Sequence, residues 1–137
     1  MKDTAPKLLV CLSHKLTDDQ LLDARLSLGI PPENVFTLPE NLQEVWQNVP
    51  VESLVIHSVA KSFVQWIKSG SAEGDYVLIQ GHFGLSFALV EFCLRRHRIP
   101  IYAVTRRIST ETPLSDGSIR ISKTFKHVAY EKYQTLP

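Results

Sequence analysis

At 137 residues the chain has the length of one ordinary domain, enough to bury roughly 68% of the surface its unfolded form exposes and to build a core without staples. Fifteen Lys and Arg balance fourteen Asp and Glu. The molecule as a whole therefore lacks the field that draws a protein to duplex nucleic acid or an anionic membrane, and a charged partner has to be met by a local patch. Cys11 and Cys93 both sit inside apolar runs and read as reduced core residues.

In chain order, the amino terminus has too short an apolar segment for a signal peptide, and no stretch approaches the roughly 20 apolar residues that cross a bilayer, so a soluble, cytoplasmic protein is expected. Residues 7 to 13 form a nearly continuous apolar run, as in a strand buried on both faces, ending at polar Ser13 and His14. Thr17 and Gln20 then make a capping box flanked by Leu16 and Leu21, and the helix they open runs to Leu28, where Gly29, Pro31 and Pro32 stop it. The segment NVFTL reads as a short strand. A second helix follows, with its cap at Thr37 or Leu38 and Pro39 in the first turn. From Val51 through Leu54, Val55, Val59, Phe63 and Trp66 to Ile67, apolar residues recur at steps of three and four, which predicts a long amphipathic helix ended by Gly70, with His57 on its solvated side.

Residues 74 to 81 predict a second buried strand, residues 85 to 97 a helix apolar almost all round at first, and residues 99 to 107 a third buried strand. Alternation of strands and helices gives a mainly parallel sheet with right-handed crossovers. Past Arg107 an Asp116-Gly117 turn signal and period-two alternation predict a terminal antiparallel hairpin, with a bulge near Lys126 and His127 where the apolar positions switch from odd to even. The fold class is α/β, a single Rossmann-like three-layer domain over residues 1 to 137 with a C-terminal antiparallel hairpin.

In such a sheet ligands gather outside the carboxyl ends of the strands, so three polar tips are expected on one edge: Ser13 and His14; Gln80 to Gly84; and Thr105, Arg106 and Arg107. Gly81 and Gly84 suit a tight turn and a close backbone approach, and the helix after them presents N–H groups to an anion such as phosphate. Arg106 or Arg107 can clamp a phosphate, and one of the two points into the site if the chain is extended. His14 and His82 suit proton transfer near neutral pH, although His14 also fits a cap or loop. Phe83 either stacks on a base or packs under the helix. The basic run Arg95, Arg96, His97 and Arg98 fits the carboxyl end of a helix. There is no Walker loop, GxSxG, CxxC or HExxH, and the five histidines are too scattered to suggest a metal site.

The phrases LSHKLTDDQLLDARLSLG, LPENLQEVW, GDYVLIQGHFG, IPIYAVTRR and FKHVAYEKY together resemble a small family of CRISPR-associated accessory proteins of the Csx class, ring nucleases of type III systems, over residues 7 to 133. The resemblance implies a homodimer that binds cyclic oligoadenylate, cyclic tetra-adenylate foremost, and opens the ring with no metal or other cofactor. It implies His14 as base or acid, Arg106 as phosphate clamp, and the backbone of Gly81 to Gly84 as anion cradle. Ser13, Gln80 and Thr105 would contact ribose or adenine. At His82 the sequence departs from the family pattern, which often carries an acid there, and this puts a catalytic role for His82 in doubt. A sensor or sponge that binds the ring without cutting it, and an unrelated nucleotide-binding domain, are the alternatives.

Overall fold

The apolar run at the start becomes β1 (Leu8–Cys11), with all four residues buried. The computed structural model that places it describes residues 4–51 and 55–137. α1 (Asp18–Leu28) opens on the expected capping box, the Thr17 and Gln20 side chains each reaching the other's backbone N–H, and ends on Gly29 at φ 70°. That left-handed conformation is one glycine adopts without strain. After a 3-10 turn, β2 (Val35–Thr37) leads to α2 (Glu40–Gln47). The cap of α2 is Pro39, with no side-chain hydrogen bond, and not Thr37 or Leu38 as expected; Pro39 presets the extended backbone before the first turn.

α3 (Val55–Gly70) keeps the predicted spacing, with Phe63 and Ile67 fully buried and His57 exposed. Val51 lies outside this helix and is 99% exposed, and Leu54 falls outside the described residues. β3 (Tyr76–Ile79), α4 (Phe83–Arg95), β4 (Ile99–Pro113) and β5 (Ile119–Lys132) complete the chain.

The sheet runs β2-β1-β3-β4-β5, its first four strands parallel and β5 antiparallel to β4. Alternate residues of β1 and β3 face opposite sides. Leu9, Cys11, Val77 and Ile79 pack under α2, α3 and α4, while Leu8, Val10 and Leu78 pack with Ala24 of α1. One helix on one face and three on the other give the expected three layers. Because the chain leaves β1 towards β2 and later returns to the far side of β1 for β3, the order reverses between β1 and β3.

Both cysteines face the three-helix side of the core. Burial drives the thiol of Cys11 far up and that of Cys93 to about 12, so neither is a thiolate at neutral pH. The basic run after α4 has a structural role: the Arg98 guanidinium donates to the carbonyls of Lys68 and Ser71 and to Ser71 Oγ, capping the end of α3. No helix among the described residues is long and apolar enough to cross a membrane.

The third buried strand does not end at Arg107. β4 is buried as far as Ala103 and then runs on, exposed, to Pro113. Its partner β5 follows it throughout, from Ile101 opposite Lys132 to Pro113 opposite Ile119. This pairing satisfies the β4 backbone where β3 no longer reaches, so the two strands leave the body as a ribbon. The bulge falls one residue beyond its expected place: Val104 pairs with Ala129 and Thr105 with His127, which leaves Val128 as the extra residue.

Candidate functional site at the carboxyl edge of the sheet

The tips of β1 and β3 lie side by side, joined by the N–H of Gln80 donating to the carbonyl of Cys11 at 3.1 Å. Beyond β1, residues 13 to 15 are exposed, and α2 fixes the turn from below: Gln43 donates to the carbonyl of Leu12 and Gln47 to that of Ser13. His14 Nδ1 stands 2.8 Å from the carbonyl of Lys15. A carbonyl only accepts, so Nδ1 carries the proton, and Nε2 of the neutral ring is left to take one from a ligand. Ser13, His14 and Lys15 line a cleft of about 470 Å³ whose opposite wall brings Glu40 and Glu44.

At the tip of β3 the glutamine and the first glycine answer to packing. The Gln80 side chain replaces the strand that has just ended: Oε1 accepts from Ala103 N–H at 2.9 Å and Nε2 donates to the Ala103 carbonyl at 3.4 Å, extending the β3–β4 ladder by one step. The Gln80 carbonyl accepts from Trp46 Nε1 at 3.1 Å. The indole lies so close to Gly81 that a Cβ there would stand 2.7 Å from two of its ring carbons. The close backbone approach foreseen at Gly81 is real, and what approaches is a side chain of α2.

His82 is the N-cap of α4, its Nδ1 accepting from the N–H of Leu85 at 3.2 Å. Phe83 does not pack under the helix: it is 93% exposed, and Phe87 one turn on is 69% exposed. Together with Gln80, Gly81, Tyr102 and Tyr133 they bound a second cleft of about 500 Å³, into whose wall Ser86 is set, its buried Oγ without a hydrogen-bond partner.

Thr105, Arg106 and Arg107 lie at the root of the ribbon, all exposed. The two arginines take opposite faces: Arg107 stacks over Phe125 at 5.4 Å, while Arg106 is paired across the strands with Lys126. The expected three-way convergence thus resolves into a pair and an arm. Ser13 and His14 share one cleft; Gln80, Gly81 and Phe83 share another with no lining residue in common; Gly84 follows in the first turn of α4; and the Thr105 cluster rides on the ribbon. Sequence reasoning missed Trp46, Tyr102 and Tyr133, whose relation to the edge is set by contacts 30 or more residues away along the chain for Trp46 and Tyr133 with their β3 partners.

Two groups hold the ribbon's root. His127 Nε2 lies 2.7 Å from Asp23 Oδ2, and Tyr130 donates to the carbonyl of Gln20, so β5 is fastened to α1. Partial burial acts to raise the Asp23 carboxyl, but hydrogen bonds from Ser27 and His127 and the charge of His127 outweigh it and hold the group below its ordinary value of 3.8. A depressed carboxyl contributes stability above its unfolded-state value and loses it as pH falls through the folded-state value. The melting temperature of Asp23→Asn should therefore lie below that of the wild type from about pH 5 to about pH 7, with the gap closing as pH falls below about 4.

Among the described residues no group of three or more His, Cys, Asp or Glu is placed to hold a metal ion. The family model described as "Uncharacterized protein MJ1673 family" matches residues 6–131. The protein of Methanocaldococcus jannaschii named "Uncharacterized protein MJ1673" is 39% identical over 128 residues, which are 93% of this chain and 97% of that one. No solved structure matches the chain. With the match running from before β1 to within β5, the chain belongs to the MJ1673 family.

Proposed function

We propose that the protein is a metal-independent ring nuclease, acting in the cytoplasm as a homodimer on a cyclic oligoadenylate, cyclic tetra-adenylate foremost, and so switching off type III CRISPR signalling. Besides the resemblance of its phrases, one observation carries the reading: His14 stands exposed at the tip of β1, beside the point where strand order reverses, with Nδ1 engaged and Nε2 open. In the reaction the ribose 2′-oxygen attacks the adjacent phosphorus as His14 Nε2 takes its proton. The bond from phosphorus to the 5′-oxygen breaks, and that oxygen is protonated as it leaves. The product is a linear oligoadenylate with a 2′,3′-cyclic phosphate and a 5′-hydroxyl. Arg106 on the ribbon and the first-turn N–H groups of α4, which lie outside the His14 cleft, hold other phosphates of the ring, and a two-fold dimer offers a two-fold ring the same patch twice.

A second reading, a module that holds the ring without cutting it, draws support from the engagement of His82 Nδ1 as a helix cap and of the Gln80 amide with Ala103. Incubating the protein with excess labelled cyclic tetra-adenylate and a chelator separates the two. Catalysis predicts complete conversion to the linear product. Retention of one ring per dimer with no linear product rejects cleavage and leaves the module, and no retention at all rejects both.

A further inference from the structure

The near-neutral balance of the chain hides a polarised distribution. Of its fifteen cations and fourteen acids, residues 105 to 127 hold five cations, Arg106, Arg107, Arg120, Lys123 and Lys126, and two acids, Glu111 and Asp116. The ribbon is thus +3, and the ten cations and twelve acids elsewhere leave the remainder at −2. Residues 105 to 126 are all exposed. Pro113 lies ten residues past Ala103, where the body's sheet ends, a projection of about 30 Å at roughly 3.3 Å per residue.

Within the ribbon the cations are concentrated on one face. Cross-strand partners point to the same side and successive residues to opposite sides. Arg106 opposite Lys126 and Thr112 opposite Arg120 therefore share one face. Between them lie Thr110 opposite Ser122 and Ile108 opposite Thr124. That face carries three cations, four hydroxyls and no acid. The other face takes two cations, Arg107 opposite Phe125 and Lys123 opposite Ser109, together with Glu111 opposite Ile121 and the exposed Ile119, so it is less positive and partly apolar. Like charges directly opposite each other, as at Arg106 and Lys126, oppose the pairing unless an anion lies over them.

We propose that this cationic, hydroxyl-bearing face docks on the phosphodiester backbone of duplex nucleic acid, with the ribbon entering the major groove. The groove of B-form DNA admits a two-stranded ribbon, and threonine and serine hydroxyls are common phosphate donors beside Arg and Lys. From the Arg106 pair to the Arg120 pair is six residues, about 20 Å, or about six base pairs of duplex. A single strand is disfavoured on this face because stacking platforms place aromatic rings beside the cations, and this face carries none, the ribbon's aromatic Phe125 standing under Arg107 on the other side. The overall balance of charge, which argued against duplex nucleic acid, averages over a segregation that only the strand register reveals.

Fluorescence anisotropy with a labelled duplex of about 20 base pairs, and with one of its strands, over about 50 to 200 mM salt tests this. The wild type is expected to bind the duplex more tightly than the strand, with log K falling against log salt at a slope of about −2.7 for three phosphate contacts. In R120Q/K126Q the slope should drop to about −0.9, with affinity down about tenfold for each cation removed. Lys123→Gln, which removes a charge from the opposite face, should change affinity less than about twofold. No duplex binding at the lowest salt, an equal loss from Lys123→Gln, an unaltered slope in the double variant, or tighter binding of the single strand would each overturn the proposal. The cyclic ligand takes no part in the measurement, so its outcome is independent of the ring-nuclease reading.

Discussion

Trp46→Ala is expected to destabilise the protein by about 3 to 5 kcal/mol, the range for removing a large buried aromatic, measured as a lower urea midpoint with an unchanged slope. The indole is 3% exposed, packs against Phe63 with ring centroids 5.5 Å apart, and donates to the carbonyl of Gln80. Its loss leaves a cavity beneath the tip of β3 and strips that carbonyl of its donor. Gly81→Ala should cost about 1 to 3 kcal/mol for a different reason, overpacking, because its new methyl would stand only 2.7 Å from the indole carbons. The two effects share one cause and cannot add. In the Trp46→Ala background, Gly81→Ala should cost close to nothing or stabilise slightly, since the clash is gone and alanine narrows the unfolded ensemble. Equal costs of Gly81→Ala in both backgrounds would show that the glycine serves something other than the indole.

The second large effect concerns the reaction. If His14 Nε2 takes the 2′-hydroxyl proton, His14→Ala should slow ring opening by about 100-fold, or roughly 2.7 kcal/mol of barrier, while leaving affinity for cyclic tetra-adenylate within a few-fold. Arg106→Ala should behave in the opposite sense, weakening binding through loss of a charge-assisted contact of about 1.5 to 3 kcal/mol. Single-turnover rates and separately measured dissociation constants distinguish the two. A His14→Ala enzyme that keeps its rate would move the proton-transfer role to another residue, and one that loses affinity alone would make His14 a contact and not a base.

Much of the body was legible because its signals are local. The capping box at Thr17 and Gln20, the left-handed stop at Gly29 and the continuous apolar runs of β1 and β3 each depend on neighbours within a turn or a strand. The parallel order then followed from strand–helix alternation. The extent of β4 was not legible. Thr105 to Pro113 lacks the apolar alternation of a core strand, and what makes it a strand is β5, arriving from beyond the turn. The edge was half legible for a related reason. Gln80, Gly81 and His82 were correctly placed at the tip of β3, but their duties are assigned by Ala103, Trp46 and Leu85. Only the last of these is close in sequence, so a signature read as ligand chemistry also serves as joinery.

The seat of Trp46 gives the molecule a built-in optical gauge. Of two tryptophans, this one is nearly shut off from water and touches the backbone at the tip of β3, so its emission should be blue-shifted and should respond when Gly81 moves. In a Trp66→Phe background every photon from the remaining indole reports on that one junction, and occupancy of the edge can be followed by titration without attaching a dye.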